Sequence, residues 1–377
     1  MNDKKAPGIY WGEYESVSNV DKAHFEAFKR QSPADIEKAC RDENGRLRHI
    51  INAEHFDLEF LTTICETAKA ARRIDDGNRE FLGKLLRGRG SINLFKQPSS
   101  RTWASFSRAA GILGMQTVDI KDVSTSSEVK GESEKDSLRT LSSYGDALVC
   151  RHPSDEYDLF GLWVQKSSGR EIPFINAGSG TKRHPTQGIL DYYTINESFK
   201  GNIDGKVVAF VGDCLRGRTV HSLAKILALH KNITAYFVAP EGLQIDKETE
   251  EYIDTRGVMV HKETNSLRRV MPLADVVYMT RVQSEHGGSG DYNENFKFTM
   301  DSLDSMREGA ILMHPGPKRD EIAPEIDYLK GDQRVMYWRQ QRNGMWTRVA
   351  LLAHVLGVDD KIREAYKEYA KIGLDRK

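Results

Sequence analysis

The sequence predicts an α/β protein with two Rossmann-like domains, each built on a parallel sheet flanked by helices, and with interdomain helices linking them. Three observations support this prediction. Short apolar strands alternate with amphipathic helices, which is typical of parallel sheets. The 377-residue chain is too long for one ordinary core. Polar and cationic side chains follow the strands at their carboxyl ends, where open parallel sheets bind ligands.

In the first half of the chain, an apolar stripe predicts a helix over 55–74. Apolar runs then predict four strands, at 91–95, 116–120, 147–150 and 172–176. Helical patterns follow these strands at 103–113, 135–144, 156–165 and 186–196.

The same alternation continues in the second half. It predicts strands at 206–212, 235–239, 274–279 and 310–313, with helices at 220–229 and 247–256. A helix at 346–356 would then return across the molecule. We therefore expect an N-terminal extension (1–45), a first domain (46–190), a second domain (191–340) and C-terminal helices (341–377) that pack back on the first domain.

Composition excludes several classes of function. Lys+Arg and Asp+Glu both number 55, so no overall basic field suggests nucleic acid or an anionic membrane as a partner. The N-terminus lacks the apolar core of a signal peptide, and no segment is apolar enough to span a bilayer. The four cysteines are scattered, without a CxxC pair, and Cys150 and Cys214 end apolar runs as buried thiols would. A reduced, cytoplasmic protein without a zinc site is expected.

The most informative segment is Pro-Ser-Ser-Arg-Thr at 98–102, between a predicted strand and a predicted helix. The first turn of such a helix offers unpaired backbone N–H groups, and here hydroxyls and a guanidinium join them. These groups suit a phosphate. The residues concerned are Ser99, Ser100, Arg101 and Thr102. A capped helix with a solvated arginine is the simpler alternative for this segment taken alone.

Other strand ends carry similar chemistry. Arginine, histidine and glutamine recur there, while carboxylates are few, and this combination favours a substrate with several negative charges. The side chains are Arg151, His184, Gln187, Arg218, Arg281 and Gln283, and the last strand is followed by Pro315 and Gly316. Individually, His184 could be an ordinary loop histidine and Arg218 a surface residue. Gly178 and Gly180 do not have the spacing of a dinucleotide-binding fingerprint.

Six short motifs in order give the chain a resemblance to the aspartate/ornithine carbamoyltransferase family. They are Ser-Ser-Arg-Thr at 99–102, Arg-His-Pro at 151–153, His-Pro-Thr-Gln at 184–187, Gly-Arg-Thr-Val-His-Ser at 217–222, Thr-Arg-Val-Gln at 280–283 and His-Pro-Gly-Pro at 314–317. The resemblance covers residues 46–357. It implies a carbamoyl phosphate-binding first domain and an amino acid-binding second domain.

The resemblance also implies roles for single residues. Carbamoyl phosphate would be held by residues 99–102, with Arg151 bridging toward the carbamoyl group, and Arg101, Thr102, Arg151 and His184 would form the catalytic set. Thr102, Arg151 and His184 would polarise the carbonyl oxygen. Gln187 and the carbonyl groups around Pro315 and Gly316 would accept from the carbamoyl NH₂, beside a cis Gly316–Pro317 bond.

For the second substrate, the resemblance implies that Arg218, Arg281 and Gln283 grip the two carboxylates of L-aspartate. The product would be N-carbamoyl-L-aspartate, used in pyrimidine synthesis. No metal and no other cofactor is implied. Ser127 and Lys130 would reach into the site of a neighbouring subunit, so a homotrimer with shared sites is expected, with a higher assembly also open. For Lys130 the alternative is an ordinary exposed loop lysine.

The chain departs from the family pattern just before the phosphate motif. Lys96-Gln97-Pro98 stands where the family usually has Phe-Glu-Pro. In the family, the glutamate of Phe-Glu-Pro meets arginines of the second domain, and His286 stands at the position of one of them. This chain therefore lacks both the acid and one of its cationic partners, so we expect weaker aspartate affinity. Two alternative functions stay open at this point: carbamoyl transfer to another amine such as ornithine, and a catalytically silent homologue serving as scaffold or regulator.

Overall fold

The computed structural model describes residues 8–13, 15–121, 130–281 and 294–371. The chain divides into two compact units. The first combines Met1–Thr186 with Met345–Lys377, and the second is Gln187–Gly344. Within the described ranges, no helix combines the length and the apolar character needed to cross a membrane.

The first unit is built on a four-stranded parallel sheet with the order β2-β1-β3-β4. Its strands are β1 (Gly90–Phe95), β2 (Gln116–Ile120), β3 (Ala147–His152) and β4 (Phe174–Ser179). Its helices are α1 (Glu15–Lys29), α2 (Pro33–Ala39), α3 (Leu58–Leu85), α4 (Ser100–Ile112), α5 (Glu134–Tyr144), α6 (Tyr157–Lys166) and the C-terminal α12 (Asp359–Lys371). The side chains of β3 and β4 are buried along their whole length, as expected of central parallel strands.

The second unit contains a five-stranded parallel sheet with the order β7-β6-β5-β8-β9. Its strands are β5 (Val207–Val211), β6 (Thr234–Val238), β7 (Met259–Glu263), β8 (Val276–Met279) and β9 (Ile311–Met313). Its helices are α8 (Arg218–Leu227), α9 (Lys247–Asp254) and α10 (Met300–Asp304). Two longer helices, α7 (Pro185–Ser198) and α11 (Tyr337–Val355), contain the unit boundaries.

Both sheets have a point where the strand order reverses. In the first sheet, the chain moves outward from β1 to β2 and then returns to place β3 on the other side of β1. In the second sheet, β8 takes the corresponding place beside β5. Loops that leave such neighbouring strands in opposite directions open a crevice at their carboxyl ends, where α/β proteins bind ligands.

The predicted fold class is confirmed, but strand β7 and helix α1 were not predicted. Strand β7 lies at a sheet edge, and its outward side chains leave little apolar periodicity; Met259 is 54% exposed. Helix α1 buries only one narrow face, including Phe25 and Phe28, in a segment that is otherwise polar. Cys40, Cys65, Cys150 and Cys214 are all buried and free, as expected for Cys150 and Cys214.

Candidate active site

The phosphate motif occupies the turn between β1 and α4, beside the end of β3. The backbone N–H groups of Lys96 and Gln97 both donate to the Arg151 carbonyl oxygen, at 2.9 and 3.4 Å. This pairing fixes the turn against the neighbouring strand. Ser99 occupies the N-cap position of α4 without capping it, and its hydroxyl donates to Thr102 Oγ1 at 3.0 Å instead. The first turn of α4 contains no carboxylate, so its N–H groups and positive dipole are available to an anion.

The side chains of this motif differ in exposure. Arg101 is exposed, Ser99 is half-buried and Thr102 is buried. A buried hydroxyl has a defined direction, whereas an exposed guanidinium can close on a ligand after it arrives. The arrangement therefore combines rigid donors with one adaptable cation.

Arg151 and His184 meet in the first unit. Both side chains are buried, and Arg151 Nη1 lies 3.5 Å from His184 Nε2. The same Nη1 donates to the Ala177 carbonyl oxygen at 3.2 Å, which orients the guanidinium. His184 Nδ1 lies 3.4 Å from the Thr186 hydroxyl, so the imidazole is held from both sides. A buried arginine needs anionic or carbonyl partners, and a substrate oxygen would be one more.

In the second unit, two arginines stand at the point where the strand order reverses. Arg218 is the first residue of α8, after β5, and Arg281 follows β8; both are half-buried. The Thr280 backbone N–H and hydroxyl both donate to the Val211 carbonyl oxygen, at 2.8 and 2.9 Å, which joins the ends of these two strands. An arginine at a helix start opposes the helix dipole, so this position favours a bound anion.

Gly217 makes the tight turn before Arg218 possible. A Cβ atom at this position would lie 2.5 Å from the Asp213 carbonyl oxygen, a separation that no side chain tolerates. The turn therefore requires glycine, and it fixes where α8 and its first residue begin.

Gln187 belongs to a buried network around Asp191. Its amide donates to Asp191 Oδ1 at 2.9 Å, and the amide of Gln340 donates to the same oxygen at 2.6 Å. The Tyr278 hydroxyl donates to Asp191 Oδ2 at 2.6 Å. Asp191 is fully buried and accepts from all three side chains, so this carboxylate organises three segments of the second unit.

The network extends to the loop that contains Pro315 and Gly316. Gln340 Oε1 accepts from the His314 backbone N–H at 2.8 Å, and Gln341 Nε2 donates to the His314 and Pro315 carbonyl oxygens at 3.3 and 3.4 Å. His314 is bound by Glu321 at 2.7 Å and accepts from the Gly316 N–H, as expected of a structural histidine. The Gly316–Pro317 bond is cis, as the resemblance implies.

Four residues singled out in the sequence lie at or beyond the edges of the described segments. Lys130 is exposed immediately before the turn that leads into α5. Ser127 and Gln283 lie outside the described residues, as does His286.

Both halves of the chain match one known protein family. Residues 48–197 match the family described as "Aspartate/ornithine carbamoyltransferase, carbamoyl-P binding domain". Residues 204–355 match its second part, "Asp/Orn binding domain". The chain belongs to the aspartate/ornithine carbamoyltransferase family. The two matched regions contain every predicted site residue, and each contains one of the two parallel sheets.

Individual members of the family are similar over most of their length. The aspartate carbamoyltransferase catalytic subunit of Thermococcus gammatolerans is 38% identical over 330 residues, covering 84% of this chain and 99% of that protein. Two crystal structures of Trypanosoma cruzi aspartate transcarbamoylase superpose with a TM-score of 0.71 at 36% identity, covering 81% of this chain and 94% of theirs. One holds carbamoyl aspartate and phosphate, and the other holds N-(phosphonacetyl)-L-aspartic acid.

The residues that hold this carbamoyltransferase site in place were not predicted from the sequence. Asp191 lies four residues after Gln187 on one helix, so the two share a face, and that spacing was a usable signal. Tyr278 and Gln340 gave no such signal because their partners are distant in sequence. The same is true of Lys96 and Glu134, which form a buried ion pair although they lie 38 residues apart in sequence.

Proposed function

We propose that the chain transfers the carbamoyl group of carbamoyl phosphate to the amine of L-aspartate, giving N-carbamoyl-L-aspartate and phosphate. The observation that carries this proposal is that both sheets present cations where their strand order reverses: Arg101 and Arg151 in the first unit, and Arg218 and Arg281 in the second. One set suits a phosphoryl group and the other suits a diacid.

The first unit would bind carbamoyl phosphate. The N–H groups and hydroxyls of residues 99–102 would hold the phosphate, with Arg101 closing over it. Thr102, Arg151 and His184 would donate to the carbonyl oxygen, which gains negative charge as the amine attacks. Such preorganised donors each lower the barrier by about 3 kcal/mol, because they need no reorganisation as the charge develops.

The second unit would supply the remaining contacts. Gln187 and the carbonyl groups of Pro315 and Gly316 would bind the carbamoyl NH₂. Asp191 would hold Gln187 in place, and Gln340 would hold the loop that contains Pro315 and Gly316. Arg218, Arg281 and Gln283 would bind the two carboxylates of aspartate. The amine then forms the new C–N bond, the C–O bond to phosphate breaks, and the departing phosphate accepts the amine proton. Holding the two reactants in line contributes about 7 kcal/mol or more.

Aspartate fits this residue set better than ornithine. Two arginines complement a dicarboxylate, whereas the cationic side chain of ornithine would be repelled by them. The product, N-carbamoyl-L-aspartate, is used in pyrimidine synthesis.

A homotrimer that shares its active sites between neighbours is the assembly we propose. The resemblance to the family implies this assembly, and Lys130 is exposed, as a residue that reaches into a neighbouring subunit would be. Location in the cytoplasm also stays a prediction, and it rests on the four free cysteines.

A colorimetric assay for N-carbamoyl-aspartate tests the reaction. Purified protein with carbamoyl phosphate should form this product from L-aspartate, and L-ornithine in a parallel assay should give no citrulline. Phosphate release without an amine is the matched blank. Preferential use of ornithine, or no product from either amine, would contradict the proposal.

A further inference from the structure

The N-terminal extension folds onto the start of α5. The Tyr10 carbonyl oxygen accepts from the Glu134 backbone N–H at 3.0 Å, and this N–H is one of the donors that a helix start leaves without an intrahelical acceptor. The Asp21 carboxylate binds the Lys135 ammonium with both oxygens, each at 2.6 Å. Both of those side chains are only 11% exposed. The extension therefore holds two consecutive residues at the start of α5.

The backbone of the extension also packs closely against the turn before α5, at Gly12 and Gly131. Gly12 has a φ of +87°, and a Cβ atom there would lie 3.3 Å from both the Gly131 carbonyl oxygen and Ser133 Cβ. A Cβ atom at Gly131 would in turn lie 2.8 Å from the Glu13 side chain. A side chain at Gly12 would thus be strained by its backbone conformation and would push against the turn before α5.

An aromatic cluster anchors the extension on α6. The rings of Trp11 and Phe25 each meet the ring of Phe160 edge-on, with both centroid separations at 5.6 Å. Trp163 packs against both of them, and Lys29 forms an ion pair with Glu156 at 2.8 Å. Buried aromatic contacts of this kind give a stable attachment.

The side chain of Glu134 makes buried contacts of its own, with Lys96 and His152. Its Oε1 accepts from Lys96 Nζ at 2.6 Å and from His152 Nε2 at 3.2 Å, and all three side chains are at most 6% exposed. The Ser154 N–H donates to His152 Nδ1, so the imidazole proton lies on Nε2 and faces Glu134. Burial opposes ionisation of Glu134, but the hydrogen bond from His152 and the charge of Lys96 outweigh it and lower the pKa.

The two partners of Glu134 adjoin the phosphate site. Lys96 stands at the end of β1, immediately before the turn that carries residues 99–102, and its N–H donates to Arg151. His152 is the residue after Arg151, at the end of β3. One carboxylate thus ties together the two strand ends between which carbamoyl phosphate would bind.

We propose that Glu134 is a positioning residue for the phosphate-binding turn and Arg151, and that residues 10–29 of the N-terminal extension hold it in place. The kinetic part of this inference rests on the proposed function. Binding of inorganic phosphate to residues 99–102 and Arg151 does not require the transfer reaction, and so gives an independent measurement.

Glu134→Gln tests the carboxylate. The amide oxygen can still accept from both partners, but the buried Lys96 ammonium loses its counter-charge. The KM for carbamoyl phosphate and the calorimetric Kd for inorganic phosphate should each rise about tenfold. The KM for aspartate at saturating carbamoyl phosphate should not change. A merely structural role would lower Tm and the active fraction, and would leave both KM values as they are.

The double variant Lys96→Met/Glu134→Leu provides a second test if Glu134→Gln does not fold. Removing both charges together avoids an unpaired buried ion, so this variant should fold. It lacks the tie between the strand ends, so its KM for carbamoyl phosphate should be raised as well. A folded variant of either kind with the parent's KM and phosphate Kd would overturn the role of Glu134.

Gly12→Val tests the extension, with Gly8→Val as its matched control. A Cβ atom at Gly8 would have no neighbour within 4 Å, so that variant should behave as the parent. Gly12→Val should raise the KM for carbamoyl phosphate and the phosphate Kd several-fold and leave the KM for aspartate unchanged. Equal behaviour of the two variants would overturn the role of the extension. If the parent itself makes no product, the proposed function fails, and the phosphate Kd values alone decide this inference.

Discussion

The Tyr278 hydroxyl donates a hydrogen bond to Asp191 across 2.6 Å in the second unit. This bond joins α7, which carries Gln187, to β8, which leads to Arg281. Burial first, and then the negative charge of Asp191, raise the pKa of Tyr278, so its proton stays in the bond. One carboxylate thereby fixes residues that we assign to different substrates.

Asp191→Asn should destabilise the protein. The Asn side chain replaces one carboxylate oxygen with an NH₂ group, so either the Tyr278 hydroxyl or the two glutamine amides lose the oxygen to which they donate. We expect a loss of about 2–3 kcal/mol in the free energy of unfolding and a raised KM for carbamoyl phosphate. Urea titration and initial-rate kinetics measure the two effects. Asp301→Asn, at a side chain that is 82% exposed, is the control and should change neither.

Arg281→Ala should separate the two substrates. Without this guanidinium, a carboxylate of aspartate loses its charged partner, and kcat/KM for aspartate should fall about a thousandfold. Carbamoyl phosphate should still bind, with an unchanged calorimetric Kd. Arg268→Ala, at a side chain that is 78% exposed, is the matched control. Loss of both substrates in Arg281→Ala would mean that the two halves of the site are wrongly assigned.

The shared-site trimer predicts complementation between two inactive variants. Arg101→Ala removes a group that acts within its own subunit, whereas Lys130→Ala removes one that would act in a neighbour. Each variant alone should have little activity. After mild dissociation, mixing and reassembly, some sites would combine two intact halves, so activity should return. If the mixture stays as inactive as its components, Lys130 does not act across a subunit boundary.

Glu171 should give the first unit a specific acid sensitivity. A hydrogen bond from His49, opposed by burial and aided by Lys166, lowers the pKa of this carboxyl from 4.5 to about 2. A depressed pKa contributes stability that is fully present above pH 4.5 and is lost as the pH falls toward 2. In Glu171→Gln, the free energy of unfolding should depend less steeply on pH in this window. Urea unfolding at several pH values measures the slope, and the exposed Glu364→Gln should keep the parent's slope.

Much of this fold could be predicted from sequence because buried parallel strands are nearly continuous apolar runs. Strands β3 and β5 are examples. Edge strand β7 and the extension helix α1 were missed because most of their side chains face solvent. Apolar periodicity reports burial, and weakly buried elements do not produce it.

The residues of the site also fall into a group that the sequence predicts and a group that it does not. A cation after an apolar strand is conspicuous in sequence, so the placement of Arg101, Arg151, Arg218 and Arg281 near strand ends could be predicted. Only folding brings together Glu134 and Lys96, which lies 38 residues before it, or Asp191 and its partners Tyr278 and Gln340. The groups that we assign to substrate binding are therefore easier to find in a sequence than the groups that hold them in place.

A crystal structure with N-(phosphonacetyl)-L-aspartic acid would show which arginines bind the phosphoryl group and which bind the diacid. This compound carries a phosphonate and both aspartate carboxylates on one skeleton. We expect the phosphonate within hydrogen-bond distance of residues 99–102 and Arg151, and the carboxylates within the same distance of Arg218 and Arg281. Carboxylates bound at residues 99–102, or a ligand that contacts neither set of arginines, would contradict this expectation.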